Sequence, residues 1–79
     1  MITYVYVLKS KASEDIYVGS TSDLANNLKE HNQGDYPDTS ESKPWELIYV
    51  EDYDSPREAK NREGFLKTAV GRNELDSIC

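Results

Sequence analysis

The chain has 79 residues, 37% of them hydrophobic, which is enough for one domain with a single thin core and leaves no room for a second. Fifteen acidic and nine basic residues give a net charge of −6, which argues against tight binding of DNA or RNA because lysine and arginine make most phosphate contacts. No apolar run approaches the roughly 18 residues that span a membrane, and the N-terminal segment carries no signal-peptide pattern. The single cysteine, Cys79, excludes a disulfide framework. We therefore expect a cytoplasmic protein.

The first half of the chain predicts two strands and a helix. Residues 2–8 alternate β-branched and aromatic side chains, and residues 16–19 predict a second strand that forms an antiparallel hairpin with the first. Ser22 is the predicted N-cap of a helix that runs to about Asn32 and is ended by Gly34. Two of the four side chains on its inner stripe are polar, and that stripe comprises Leu24, Asn27, Leu28 and His31.

A long loop and a third strand follow. Residues 33–44 are rich in turn formers and charges, which predicts the longest loop of the chain. Residues 45–53 alternate well enough to form a strand, and Trp45 at its start is expected to anchor the core rather than to stack on a base. Tyr49 and Tyr53 are expected to be sheet or packing residues.

The start of the second helix is strongly marked. Ser55 is an N-cap residue, Pro56 occupies the first helical position, and Glu58 completes a capping box. We expect this helix to run to about Lys67. Its inner stripe consists of Ala59, Arg62, Glu63 and Leu66, and a carboxylate on such a stripe needs a partner.

The last segment predicts a short terminal helix. Gly71 is expected to break the chain, and residues 72–78 then form the helix. The complete pattern predicts a single α/β (α+β) domain over residues 1–79, with a small antiparallel sheet flanked by helices.

Five motifs occur in a fixed order along the chain. The first strand reads Y-V-Y-V-L-K-S, the second D-I-Y-V-G-S-T-S-D-L, and the first helix contains L-K-E-H-N. The third strand and second helix read K-P-W-E-L-I-Y-V-E and S-P-R-E-A-K-N-R-E-G-F-L-K. This ordered set resembles the GIY-YIG nuclease superfamily, and more narrowly its small stand-alone bacterial members, over essentially the whole chain. The resemblance implies a three-stranded antiparallel sheet flanked by helices.

The resemblance also implies a site that cuts phosphodiesters. Tyr6 and Tyr17 match the tyrosines of the two family motifs, one of which helps to deprotonate the attacking water. His31 matches a position near the scissile phosphate. Glu63 matches the carboxylate that binds a single divalent metal, Mg²⁺ or Mn²⁺, which would neutralise phosphate charge and stabilise the leaving oxygen.

Asn27 departs from the family pattern, because the resemblance implies an arginine at this position. Such an arginine contacts the phosphate, and losing one comparable donor costs about 10²- to 10³-fold in rate. Asparagine is neutral and cannot make the bidentate contact. We therefore expect a metal-dependent endonuclease of DNA or RNA with impaired activity. The alternative is a non-catalytic module that binds nucleic acid or a protein partner, in either case as a monomer or weak dimer.

Each of these residues also has an ordinary structural explanation. Tyrosine is common in strands, and a histidine at a helix C-terminus is stabilised by the helix dipole. The basic residues of the second helix form either a phosphate-binding patch or pairs at i,i+4 spacing, such as Glu58–Arg62 and Glu63–Lys67. A third alternative has Arg57 or Arg62 replacing the missing arginine. The basic residues concerned are Arg57, Lys60, Arg62 and Lys67.

Overall fold

A three-stranded antiparallel sheet forms the centre of the protein in a computed structural model that describes residues 2–34 and 42–78. The strands are β1 (Thr3–Ser10), β2 (Ile16–Thr21) and β3 (Trp45–Tyr53), and β1 lies between the other two. The helices are α1 (Leu24–Gln33), α2 (Pro56–Leu66) and α3 (Ala69–Ile78). The predicted fold class is confirmed. Tyr36, Cys79 and most of the predicted loop lie outside the described residues.

The hairpin between β1 and β2 extends further than the sequence predicts. β1 continues to Ser10 rather than ending at Leu8, and β2 continues to Thr21 rather than ending at Gly19. Ser10 is buried, and its hydroxyl accepts hydrogen bonds from the amides of Ala12 and Ser13. These bonds close the turn, so the polar residues that look like turn formers partly belong to the strand.

The ends of α1 are set by one carboxylate and one glycine. Asp23, not the predicted Ser22, is the N-cap, because its side chain accepts a hydrogen bond from the amide of Asn26. Gly34 is the C-cap with a φ of 85°, as the sequence predicts. None of the helices in the part of the chain described here is both long and apolar enough to cross a membrane.

The junction between α2 and α3 corrects a second prediction. The caps of α2 are as expected, since Ser55 accepts a bond from the amide of Arg57 and Pro56 is the first helical residue. Gly71, however, lies inside α3 rather than breaking the chain. A Cβ atom at this position would lie 2.1 Å from the carbonyl oxygen of Phe65, so the glycine permits α3 to approach the end of α2 closely.

The two faces of the sheet carry two separate cores. Consecutive side chains of a strand point to opposite faces, so β1 contributes to both. One core packs α2 and α3 against the sheet through Val5, Val7, Val18, Ala59, Leu66 and Leu75. The other consists of Tyr6, Leu8 and Trp45, packed with Tyr17, Leu24, Leu28 and Leu47 beneath α1. Full burial of a valine or leucine side chain contributes about 1.5–3 kcal/mol, so both faces stabilise the fold.

A polar network joins β3, α2 and α3. The guanidinium of Arg62 donates to both carboxylate oxygens of Glu51, at 2.9 and 3.1 Å, and to Glu74 at 2.7 Å. The hydroxyls of Tyr49 and Tyr53 also donate to Glu51. Arg62 therefore does not make the Glu58 pair expected from helical spacing, because Glu51 offers a half-buried bidentate partner. Tyr49 and Tyr53 also pack against the core, as predicted.

This network shifts the pKa values of its members. Burial alone would raise the pKa of Glu51, but hydrogen bonds from Arg62, Tyr49 and Tyr53 outweigh it and lower that pKa to about 2. Burial and the neighbouring Glu51 carboxylate raise the pKa of Tyr53 to about 12. Glu51 is therefore ionised throughout the neutral pH range.

Candidate active site

The hairpin register places Tyr6 and Tyr17 on the same face of the sheet. Tyr6 on β1 lies opposite Gly19, and Tyr17 on β2 lies opposite Leu8. Residues that are directly opposite in an antiparallel pair share a face, as do residues two apart on one strand. The two rings have centroids 6.3 Å apart and are tilted by 34°. The sheet therefore brings together the two phenols that the sequence singles out.

His31 joins the phenols from the last turn of α1. Its Nε2 atom lies 3.1 Å from the Tyr6 hydroxyl, and its ring centroid lies 4.9 Å from that of Tyr17. The side chain is fully buried, and this burial lowers the pKa of His31. The imidazole is therefore neutral at pH 7, which argues against a protonated His31 stabilised by the helix dipole. A neutral imidazole has one ring nitrogen that can accept a proton.

The phenol–imidazole cluster opens to solvent mainly at one ring. Tyr6 is only 3% exposed and His31 is fully buried, whereas Tyr17 is half-buried. Trp45 is 5% exposed and lies edge-on to Tyr17, with ring centroids 6.3 Å apart. Its predicted role as a core anchor is confirmed. Among the described residues of this cluster, Tyr17 is therefore the most accessible ring.

Gly19 is a site residue that the sequence reasoning left without a role. A Cβ atom at this position would lie 2.5 Å from the hydroxyl oxygen and 2.7 Å from Cζ of Tyr6. Because Tyr6 lies directly across the hairpin, only glycine leaves room for its phenol in the observed position. The hairpin register was the signal that could have revealed this requirement.

Substituting Gly19 by alanine is expected to destabilise the protein by about 1–3 kcal/mol, since the added methyl forces the Tyr6 ring away from His31. Gly64 is the matched control. A Cβ there meets nothing within 4 Å, so Gly64→Ala in the interior of α2 should stabilise by about 0.5–1 kcal/mol. Urea unfolding of both variants measures the difference. Equal effects of the two substitutions would contradict this account of Gly19.

Glu63 approaches the site from the other face of the sheet. It lies on α2 and accepts a hydrogen bond of 2.6 Å from the hydroxyl of Ser20. Ser20 is opposite Val5 in the hairpin, on the face that carries α2 and α3. The two phenols therefore lie on one face of the sheet and the Glu63 carboxylate on the other, with the backbone of β2 at Gly19 and Ser20 between them. Ser20 is a second neighbour of the site that sequence alone does not identify.

Two lysines neutralise Glu63. The ammonium of Lys67 lies 2.8 Å from Oε2, as the i,i+4 spacing predicts, and that of Lys60 lies 3.4 Å from Oε1. The Glu63 side chain is 12% exposed. Burial raises the pKa of Glu63, but hydrogen bonds from Lys67 and Ser20 outweigh it, so the pKa lies below its ordinary value. The carboxylate is therefore ionised at neutral pH.

The donor set at Glu63 fits a hard divalent cation held by few protein ligands. A carboxylate and an adjacent hydroxyl, that of Ser20, are the oxygen donors that Mg²⁺ and Mn²⁺ prefer, and Mg²⁺ commonly takes its remaining ligands from water and phosphate. Within residues 2–34 and 42–78, no cluster of three or more His, Cys, Asp or Glu side chains could hold a metal. An ion bound at this carboxylate would have Glu63 and Ser20 as its protein ligands.

Asn27 lies on α1 one turn before His31, and its side-chain oxygen is buried. Three cations of α2 are already paired with carboxylates, which does not favour their replacing an arginine there. Arg62 is held by Glu51 and Glu74, on the opposite face of the sheet. Lys60 and Lys67 are held by Glu63. Three of the four basic residues are therefore paired with carboxylates rather than arranged as the open phosphate-binding patch that was one expectation, whereas Arg57 is exposed and makes no ion pair with the described residues.

The comparison with known families decides the classification. The family model described as the GIY-YIG catalytic domain matches residues 2–76. The chain belongs to the GIY-YIG family. This places it in a nuclease superfamily whose members generally use divalent metals, and it makes nucleic acid the substrate class that the family suggests.

Relatives of this GIY-YIG domain are small proteins of similar length. The UPF0213 protein CPE1444 of Clostridium perfringens is 35% identical over 78 residues, which cover 98% of this chain and 83% of that protein. The UPF0213 protein YazA of Bacillus subtilis is 37% identical over 65 residues, 81% of this chain and 65% of that protein. The solution structure of the UPF0213 protein BH0048 from Bacillus halodurans covers 99% of this chain and 85% of its own, with a TM-score of 0.61 and 28% identity.

Proposed function

We propose that this GIY-YIG domain is a metal-dependent endonuclease of DNA or RNA whose activity is low because Asn27 stands at the arginine position. The observation that carries the proposal is the buried hydrogen bond of 3.1 Å between the Tyr6 hydroxyl and Nε2 of His31, with Tyr17 against the same imidazole. A buried phenol paired with a neutral histidine is a built proton-transfer unit, and a sheet tyrosine in an ordinary packing role does not require one.

The two phenols and the imidazole handle the proton of the attacking water. As Tyr6 accepts that proton, its own hydroxyl proton passes to the neutral Nε2 of His31, so no free phenolate has to persist. Tyr17, the more exposed phenol, orients the water at the entrance to the cluster. Positioned acid–base groups of this kind contribute about 10²- to 10⁴-fold in rate.

Glu63 supplies the second half of the site. Glu63, with Ser20 beside it, would hold a divalent cation, which would neutralise charge on the phosphate and stabilise the leaving oxygen. The carboxylate is ionised and within hydrogen-bond distance of Ser20, so it is ready to bind a cation at neutral pH. Asn27, by contrast, adds no charge for the phosphate to bind. Together with the net charge of −6, this predicts weak substrate binding and slow turnover.

Cleavage of labelled single- and double-stranded DNA in the presence of Mn²⁺ tests this function. We expect slow cleavage by the unmodified chain and complete loss in Glu63→Ala, because the metal-holding carboxylate is gone. Glu58→Ala is the matched control, since Glu58 is an exposed carboxylate in the first turn of the same helix. Cleavage that survives Glu63→Ala, or equal loss in both variants, would contradict the assignment of Glu63.

A non-catalytic interaction module is the second candidate, and one observation favours it. Both oxygens of Glu63 already have ammonium partners, so the carboxylate is neutralised without a metal. This reading predicts indifference to Mn²⁺ and a stable nucleic-acid or protein partner. Absence of cleavage by the unmodified chain, combined with a partner that binds equally well with and without Mn²⁺, would support it over the nuclease.

A further inference from the structure

The surroundings of Glu63 resemble a site already filled by a cation. Oε2 accepts a bond of 2.8 Å from the Lys67 ammonium, and Oε1 accepts from Ser20 at 2.6 Å and from Lys60 at 3.4 Å. A carboxylate offers about four lone-pair positions. Three of them are therefore used by donors of this chain, and the Lys67 ammonium provides the closest positive charge.

A divalent ion and the Lys67 ammonium cannot both bind Oε2 favourably. Mg²⁺ sits about 2.0–2.1 Å from its oxygen ligands, so an ammonium that stayed in place would be within a few ångströms of a double positive charge. Charges of the same sign at that separation repel even in water, and more so at a side chain that is only 12% exposed. Binding of the metal is therefore most favourable when the Lys67 ammonium leaves.

We propose that Lys67 is an internal cation that competes with the divalent metal for Glu63 and thereby sets the metal affinity of the domain. This inference rests on the proposed function only in taking Glu63 as the residue that holds the metal. Lys67 lowers the affinity because the metal has to displace it. In the absence of metal, the Lys67 ammonium compensates the charge of the Glu63 carboxylate, whose side chain is only 12% exposed.

The geometry selects Lys67 over Lys60 for this role. Lys67 lies 2.8 Å from its carboxylate oxygen, compared with 3.4 Å for Lys60. Lys67 is also the C-cap residue of α2, where the helix dipole favours a positive charge, and its side chain is 51% exposed against 70% for Lys60. A half-exposed, flexible side chain can swing into solvent without disturbing the core.

Mn²⁺ titration of the full chain without nucleic acid tests the proposal, with free Mn²⁺ followed by electron paramagnetic resonance. Lys67→Met removes the ammonium but keeps chain length and helix propensity. Lys60→Met makes the same change at the weaker contact. Lys29→Met on α1 is the charge-matched control, because α1 packs on the opposite face of the sheet. Glu63→Gln removes the carboxylate that both cations require.

We expect Lys67→Met to bind Mn²⁺ about 3- to 10-fold more tightly than the unmodified chain at low salt, the size expected for removing one nearby positive charge. Lys60→Met should show a smaller gain, Lys29→Met none, and Glu63→Gln should lose the site. A gain in Lys67→Met no larger than that in Lys29→Met would overturn the proposal, and so would a gain in Lys60→Met that equals it. Failure of every variant to bind Mn²⁺ would overturn it as well.

A spectroscopic measurement separates displacement from a general charge effect. Addition of Mg²⁺ should shift the Nζ resonance of Lys67 toward the value of a solvated ammonium, while that of Lys29 stays constant. An unchanged Lys67 resonance at saturating Mg²⁺ would contradict displacement. Because neither measurement involves cleavage, a domain that binds Mn²⁺ through Glu63 but cuts no DNA would refute the nuclease and leave the competition intact.

Discussion

Asn27→Arg is expected to raise the rate of Mn²⁺-dependent DNA cleavage by about 10²- to 10³-fold over the unmodified chain. Position 27 lies one turn before His31, on the half-buried side of α1 that faces the phenol cluster. An arginine there would place a permanent charge and a planar set of donors where phosphate charge develops. Tyr6 and His31, the proposed proton-transfer groups, are already in hydrogen-bond contact, so we expect one added charge to be sufficient.

Asn26→Arg is the control for this prediction, because it adds the same charge at the neighbouring, exposed position of α1. It should improve DNA binding slightly and leave the cleavage rate nearly constant. The double variant Asn27→Arg, Glu63→Ala should be inactive. If Asn26→Arg accelerates cleavage as much as Asn27→Arg, the gain reflects net charge rather than a restored site. If the unmodified chain already cuts rapidly, another group supplies the charge.

Arg62→Met is expected to lower the free energy of unfolding by about 2–3 kcal/mol at pH 7, and hence the melting temperature by roughly 10–20 °C. Arg62 is 21% exposed and its partner Glu51 18% exposed, so removing the guanidinium leaves a largely buried carboxylate with only hydroxyl donors. The same substitution removes one polar contact to α3, because Arg62 also binds Glu74.

The pH dependence of stability gives this prediction a second readout. The folded-state pKa of Glu51 is about 2, below the ordinary value of 4.5, so its contribution is complete above about pH 5 and is lost as pH falls toward 2. From pH 6 to pH 3 the unmodified protein should lose up to about 2 kcal/mol through this group. Arg62→Met should lose less over the same range, because its Glu51 pKa lies closer to the unfolded value.

Urea unfolding at several pH values measures both effects, and Arg57→Met serves as the matched control. Arg57 is exposed in the first turn of α2 and forms no ion pair with any of the residues the structure describes. Its replacement should change stability by less than about 0.5 kcal/mol. Glu63 also has a lowered pKa, but it is present in every variant and cancels in the comparison. Parallel pH profiles for Arg62→Met and the unmodified chain would refute the assignment to Glu51.

Local patterns predicted the fold well wherever local chemistry decides it. The alternation in β1 and β3, the Ser55–Pro56 helix start and the Gly34 helix end follow from neighbouring residues, and all are present. Some errors were local, such as the N-cap of α1, which is Asp23 rather than Ser22, and others concern packing between helices. Gly71 looks like a helix breaker in sequence, but it lies inside α3, where the absence of a side chain permits the close approach to the Phe65 carbonyl.

In the candidate site, too, some contacts follow from local sequence patterns and others do not. The proximity of Tyr6, Tyr17 and His31 follows from a hairpin and one helix packed on it, which sequence can predict. The pair of Glu63 with Lys67 follows from helical spacing. The bond from Ser20 to Glu63 joins residues 43 positions apart, and no local pattern indicates it. Arg62 likewise forms a bidentate pair with Glu51 rather than with Glu58, the partner that helical spacing favours.

Trp45 is the one tryptophan of the chain, and it lies in the same cluster as the two motif tyrosines. Its indole is edge-on to the Tyr17 ring and almost fully shielded from water. The tryptophan fluorescence of the protein therefore originates at the candidate site. Events that move Tyr17, including ligand arrival and local opening, can be followed by the emission of an unlabelled protein, with no attached probe to disturb them.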